Sequence, residues 1–131
     1  MNENPSGSHA AGKMERQNAS HYLWGDGCDG WHLLKAESLS VIEERMRAGT
    51  SEVKHHHQMA RQFFYVLKGV LSFEINGLEL DLTPRQGVEI PPAIPHRVFN
   101  RSNQDTEFLV ISSPPSHGDR VLEESRQPVT P

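Results

Sequence analysis

The chain has 131 residues, a formal net charge of −4 and a single cysteine, Cys28. This length predicts one domain. No apolar run approaches the ~20 residues of a membrane-spanning helix. The sequence has no block of like charge, which argues against a nucleic-acid-binding surface. We also expect no signal peptide at the N-terminus. One cysteine excludes an intramolecular disulfide framework, so we expect a reduced, cytoplasmic setting.

Both ends of the chain are polar and aperiodic. They lack the apolar surface that would offset the entropy of ordering. We therefore expect a flexible N-terminal tail over residues 1–20, one domain over residues 21–113, and a C-terminal tail over residues 114–131.

The central region consists of short segments rich in Val, Ile, Leu and Phe, separated by Gly, Pro, Asn and Asp. In chain order they read GWHLLKA, SLSVIEERM, VKHHHQ, QFFYVLKG, VLSFEING, LELDLTP, GVEIPP, HRVFNRS and EFLVISSP. Segments of this length and spacing predict an all-β sandwich or barrel. SVIEERMRA also has good helix propensity, but the β pattern around it and the closing Gly49 favour a strand. Asn76-Gly77 predicts a two-residue hairpin turn, because both positions need positive φ, and Lys68-Gly69 predicts a second tight turn.

The segment QFFYVLKGVL is apolar on both sides of its alternation. A strand with one face in water should instead alternate between apolar and polar residues. A second sheet can cover one face, and either a bent sandwich layer or a subunit partner would cover the other. We expect a homodimer formed through this sheet.

Histidine is unusually frequent, with eight residues, three of them adjacent at positions 55–57. On a strand, His55 and His57 point to one face and His56 to the other. Two imidazoles on one inner face form half of a metal site, and His96 could complete it if its strand folds back beside the first. Neutral imidazole suits Zn, Cu, Fe and Ni, whereas Mn is usually held with more oxygen.

The stretch from Gly49 to Asn100 resembles the two signature motifs of the cupin superfamily. In the first, Gly49 is followed by TSEVK, the three histidines, QMAR, Gln62, FFYVLK and Gly69, so every spacing fits but glutamine stands where the motif has glutamate. In the second, PPAIPHRVFN fits from Pro91 to Asn100. There Ala93 replaces a glycine, and the leading glycine comes two residues late, as Gly87.

This resemblance implies a double-stranded β-helix, or jelly-roll barrel, with a metal site in its mouth. The family ligands correspond to His55, His57 and His96, with Gln62 at the fourth position. The expected cofactor is a divalent ion: Fe, Mn, Zn, Ni or Cu. Phe64 and Val66 share the strand parity of Gln62, so they should line the pocket or fill the barrel.

Gln62 changes what such a site would do. A glutamate brings a negative charge, whereas Gln62 brings a neutral amide oxygen and two N–H donors. Metal affinity should fall, and the ion should keep its full charge toward bound water or an anionic ligand. Gln62 either coordinates weakly or hydrogen-bonds to a bound water or substrate.

Two functions remain open from the sequence. The first is a metalloenzyme acting on a small molecule, with a dioxygenase as the leading class by resemblance to three-histidine cupins. The second is a non-catalytic module that binds a small ligand or a metal. No second acid–base pair is identifiable, and glutamine cannot transfer protons, which argues against proton-transfer chemistry such as isomerisation.

Overall fold

The computed structural model describes residues 11–123. This part of the chain contains a single 3-10 turn at Arg16–Asn18 and eleven β-strands. The strands are β1 (Ser20–Trp24), β2 (Cys28–Lys35), β3 (Ser40–Met46), β4 (His55–His57), β5 (Arg61–Lys68), β6 (Leu71–Ile75), β7 (Leu78–Leu82), β8 (Gly87–Ile90), β9 (His96–Phe99), β10 (Thr106–Ser113) and β11 (Arg120–Leu122). The all-β prediction is therefore confirmed, including a strand rather than a helix at Ser40–Met46. Residues 11–123 contain no helix long and apolar enough to span a bilayer.

The strands form two antiparallel sheets. One has six strands in the order β1-β2-β3-β10-β5-β8, and the other has five in the order β11-β4-β9-β6-β7. Apolar side chains from the inner faces of both sheets make one core, in which Phe64 and Phe108 of the first sheet meet Phe73 of the second. Burial of this apolar area is the main favourable contribution to folding.

Both predicted turns have the required backbone. Asn76 and Gly77 have φ values of 51° and 87° and join β6 to β7, which agrees with the predicted hairpin. Gly69 has a φ of 84° and lies where the chain leaves the six-stranded sheet for the five-stranded one. A Cβ at Gly69 would lie 2.9 Å from the Asp105 carbonyl oxygen, so the crossing needs glycine.

Strand β5 is apolar on both faces, as its sequence predicts. Phe64 and Val66 point into the core, while Phe63 and Leu67 point outward and are 40% and 43% exposed. This exposed face is where the predicted homodimer would form. The dimer stays a prediction, which light scattering at micromolar concentration would test.

The paired structure extends beyond the predicted domain boundary at Ser113. Strand β11 pairs with β4, placing Arg120 opposite His57 and Leu122 opposite His55. At the other end, Arg16 forms ion pairs with Glu43 and Glu107. The polar composition of these segments hid their contacts, because the contacts are hydrogen bonds and ion pairs rather than apolar packing. The remaining tail residues, 1–10 and 124–131, lie outside the described part of the chain.

Candidate metal centre

Three histidines meet on the inner face of the five-stranded sheet. His55 and His57 are two residues apart on β4, so they share a face, and His96 of β9 pairs directly opposite His55. Directly opposed residues in an antiparallel pair point to the same side. The candidate ligand atoms of the three rings all lie within 4.8 Å of one another. All three residues are buried, with exposures of 4%, 6% and 1%.

Hydrogen bonds select one nitrogen of each ring as the free one. The Nδ1 atoms of His55 and His96 lie 2.9 Å from the carbonyl oxygens of Val53 and Ile94, in each case two residues earlier. His57 Nδ1 lies 3.2 Å from the carbonyl oxygen of Asp119. A carbonyl only accepts, so each Nδ1 carries the proton and each Nε2 presents a lone pair. This is the arrangement in which protein histidines bind metal.

Burial keeps the three histidine side chains neutral near pH 7 by lowering their pKa values. Burial, reinforced by neighbouring imidazoles and by the charge of Arg120, lowers the pKa of His55 to about 3 and that of His96 to about 4. Burial also lowers the pKa of His57. His96 Nε2 is buried and has no hydrogen-bond partner within residues 11–123. Such an atom is costly to bury unless something binds it, so this donor set fits a divalent ion.

Gln62 approaches the same place from the opposite sheet. It is 5% exposed and lines the cavity beside His55 and His57. Its Nε2 donates to Ser112 Oγ at 3.2 Å, an interaction that follows from the pairing of Gln62 with Ser112 across β5 and β10. Its Oε1 has no partner in the described chain. The amide oxygen is therefore the available end of this side chain, while coordination by Gln62 stays a prediction.

Of the two residues predicted as possible pocket walls, one lines the cavity and the other lies in the hydrophobic core. Phe64 lines the cavity. Val66 is fully buried in the hydrophobic core, where it packs with Phe64 and Phe108. Both point inward, but Val66 lies four residues beyond Gln62, or roughly 13 Å along the strand. This places it deeper than the site.

The cavity beside the histidines has a volume of about 150 Å³ and contains acidic and phenolic groups that the sequence analysis missed. Tyr22 donates a 2.8 Å hydrogen bond to Glu44 Oε2, and both residues line the cavity. Burial raises the pKa of Glu44 to about 7, despite the lowering effects of Tyr22 and Arg120. Burial and the Glu44 charge raise the pKa of Tyr22, so the phenol stays protonated. No second acid–base pair is identifiable from the sequence, and Glu44 and Tyr22 are candidate groups for one.

A second carboxyl group, Glu52, also lines the cavity. Its Oε2 accepts the Val98 backbone N–H at 3.1 Å and lies 3.8 Å from His55 Nδ1. Burial raises the pKa of Glu52 to about 8.

The segment after β10 covers part of the cavity. Ser116, His117 and Arg120 line it. The Asp119 carboxylate accepts the backbone N–H groups of Gln58, Met59 and Ala60 at 3.1, 2.9 and 2.9 Å. Burial alone would raise the pKa of Asp119, but these three bonds hold it below its usual range. One residue thus fixes the β4–β5 turn and, through its own carbonyl, the ring of His57.

Ala93, the alanine at a motif glycine, has a φ of 71°. Its backbone N–H donates to the His57 carbonyl at 2.7 Å. The turn before His96 therefore keeps the left-handed backbone that glycine adopts without strain, although a side chain is present.

Comparison with known proteins identifies the family. The sequence profile of the Cupin domain family matches residues 42–112, more than half of the chain. The chain belongs to the cupin family. The predicted resemblance and the jelly-roll fold are both confirmed.

Relatives of this cupin agree with that assignment. The uncharacterized protein MJ1618 of Methanocaldococcus jannaschii is 26% identical over 116 residues, which cover 84% of this chain and 93% of the relative. Among solved structures, the polyketide cyclase RemF from Streptomyces resistomycificus has a TM-score of 0.74 at 19% identity, covering 91% of this chain and 90% of that one. KdgF from Halomonas sp. has a TM-score of 0.74 at 17% identity, covering 81% and 96%. At these identities the solved structures establish the fold alone.

Proposed function

We propose that this cupin is a divalent-metal-dependent enzyme that carries out proton transfer on a small oxygen-bearing molecule. The observation that carries the proposal is the convergence of three Nε2 atoms, each with its Nδ1 proton bound to a carbonyl oxygen. His55, His57 and His96 would hold the ion, and Gln62 would offer its free Oε1 beside them. A bound ion would polarise a substrate oxygen and stabilise negative charge on it.

We assign the role of general acid–base group to Glu44. Its pKa of about 7 lets its carboxyl group either hold or accept a proton near neutral pH, the range in which general acid–base groups work best. Tyr22 occupies Oε2 as a donor, which leaves Oε1 for a substrate proton. Tyr22 also fixes the orientation of the carboxyl group, so we assign it a positioning role.

The cavity favours this chemistry over the dioxygenase predicted from resemblance. A dioxygenase needs a redox metal and open coordination positions, whereas a protonatable carboxyl group with a dedicated phenol donor serves proton transfer. A solved structure with the same fold is a polyketide cyclase, RemF, so this fold also serves a reaction class other than dioxygenation.

Metal analysis tests the metal centre. The protein is purified without a polyhistidine tag, and its metal content is measured for wild type, His96→Ala and His56→Ala. His56 is the matched control, because it points away from the site and its Nδ1 contacts the Glu123 carboxylate. We expect close to one ion per chain in wild type and His56→Ala, and loss of the ion in His96→Ala. Equal loss in both variants would overturn the proposed centre.

Turnover distinguishes the reaction classes. Metal-loaded protein is incubated with small carbonyl compounds, phenols and thiols, while deuterium exchange from solvent and oxygen uptake are followed. We expect metal-dependent deuterium exchange that falls at least about 100-fold in Glu44→Gln. Oxygen uptake without exchange would indicate a dioxygenase. Metal binding with neither activity would indicate a non-catalytic binding module.

A further inference from the structure

Arg120 enters the cavity from a segment that the sequence analysis assigned to a tail. It lies on β11 directly opposite His57 of β4. Because opposed residues in an antiparallel pair share a face, its side chain leaves the sheet on the histidine side. It lines the cavity together with Glu44 and Gln62.

The charge of Arg120 acts on this cavity rather than on a fixed partner. It acts to lower the pKa of Glu44, a carboxyl group that lines the same cavity. Yet Arg120 forms no ion pair with a carboxylate of residues 11–123. Five other arginines form such pairs: Arg16, Arg45, Arg61, Arg97 and Arg101. Arg47 and Arg85 form none within residues 11–123, but they do not line the cavity. Arg120 thus lines the cavity without a carboxylate partner among residues 11–123.

We propose that Arg120 binds the carboxylate of the substrate, so that the substrates are small carboxylic acids with an oxo or hydroxyl oxygen beside the carboxylate. A guanidinium group presents two parallel N–H donors that match the two oxygens of a carboxylate. The inference rests on the proposed metal centre, because the oxo or hydroxyl oxygen of the substrate would be bound beside the three histidines. Glu44, which lines the same cavity, would remove or return a proton on the carbon next to the carbonyl.

The volume of the cavity limits the size of the carboxylic acid that can bind. Its volume is about 150 Å³, and a cavity of that size in another protein holds a benzene-sized ligand. The enclosed part of a substrate therefore has roughly six to eight non-hydrogen atoms. Pyruvate and 2-oxobutanoate meet this limit.

Binding of matched probes tests the assignment. Pyruvate and its neutral isostere pyruvamide are titrated into metal-free and zinc-loaded protein, and backbone amide shifts are followed by NMR. The variants are Arg120→Gln, Arg120→Lys and the control Arg101→Gln. Arg101 pairs with Glu79 and Asp81 on the surface and does not line the cavity. Zinc affinity is measured for each variant in parallel.

We expect pyruvate to bind wild type and Arg101→Gln alike. Binding should weaken about tenfold or more in Arg120→Gln, with Arg120→Lys intermediate. Pyruvamide should bind weakly to all variants. Equal pyruvate affinity in wild type and Arg120→Gln, or equal affinity for pyruvate and pyruvamide, would overturn the assignment even where zinc binds. If zinc fails to bind but the metal-free protein binds pyruvate through Arg120, the metal centre fails and the carboxylate subsite stands.

Discussion

Tyr22 reaches across Gly30 to bond with Glu44 two strands away. In the six-stranded sheet Gly30 pairs with Tyr22 on one side and with Glu44 on the other. The three residues therefore form a row on one face. The missing side chain at Gly30 leaves the space in which the Tyr22 ring lies. The 2.8 Å hydrogen bond at the end of this row sets the position of the only cavity carboxyl group that we assign to proton transfer.

Substituting Gly30→Ala should disrupt this row. A Cβ at Gly30 would overlap the Tyr22 ring, so the ring must move away from Glu44. We expect the free energy of unfolding to fall by about 1–3 kcal/mol, as for other overpacked sites. Chemical denaturation measures this loss. Gly12→Ala is the control, because nothing lies within 4 Å of a Cβ there. Equal stability of the two variants would contradict the described packing.

The raised pKa of Glu44 predicts a pH-dependent stability. The folded protein binds this proton with a pKa of about 7, against 4.5 for an ordinary glutamate. Since the folded state holds this proton more tightly, Glu44 contributes a fall in the free energy of unfolding as pH rises from about 4.5 to about 7. The buried histidines, whose pKa values are lowered, contribute a rise up to about pH 6.5, so the Glu44 contribution is read from the difference between wild type and Glu44→Gln. The groups facing Glu44 are Tyr22, Arg120 and the carboxyl group of Glu52, which itself has a raised pKa.

Denaturation of metal-free protein at pH 5, 6, 7 and 8 tests this dependence. In Glu44→Gln the amide oxygen still accepts the Tyr22 hydrogen bond, but the ionisable proton is gone. We expect wild type to lose stability relative to Glu44→Gln as pH rises from 5 to 7, because the contributions of Glu52 and of the histidines are common to both proteins. Identical slopes for both proteins would show that Glu44 is already ionised at pH 5.

Much of this site could be predicted from sequence, and the missed part has a common cause. His55 and His57 are recognisable because they are two residues apart on one strand, within the first motif, and His96 is recognisable because it lies in the second motif. The parity of β3 also carried a signal, since Glu44 lies between the inward-facing Ile42 and Met46. Its partner Tyr22 could not be found, because their contact depends on the register of three strands.

Arg120 was missed for a different reason. Its segment has few apolar residues, so it resembles a solvated tail. What holds it is backbone pairing with β4 and the three N–H bonds of Asp119. Contacts of this kind leave no hydrophobic periodicity in the sequence.

Asp119 should affect the metal centre without contacting it. In the wild type, the backbone N–H groups of Met59 and Ala60 both donate to Asp119 Oδ2. In Asp119→Asn, an amide nitrogen at this position cannot accept these two hydrogen bonds. We expect a loss of about 1–3 kcal/mol in stability. Zinc binding should weaken as well, because the same residue orients His57. Asp26→Asn, at an exposed position, is the control. Unchanged zinc affinity in Asp119→Asn would contradict a role in positioning His57.

Restoring the family carboxylate should strengthen metal binding. Gln62→Glu places a negative charge where the unpartnered Oε1 now lies, and Ser112 Oγ can donate to the new carboxylate. We expect the zinc dissociation constant to fall about tenfold or more, measured by competition with a chelator. A dissociation constant equal to that of wild type would show that this side chain does not face the ion.

The central claim is that His55, His57 and His96 hold one divalent ion. Anomalous diffraction from crystals of zinc-loaded protein, recorded on both sides of the zinc absorption edge, tests it most directly. We expect one strong peak per chain at about 2.0–2.1 Å from all three Nε2 atoms. A peak at another set of residues, or none in protein shown to contain stoichiometric zinc, would contradict it.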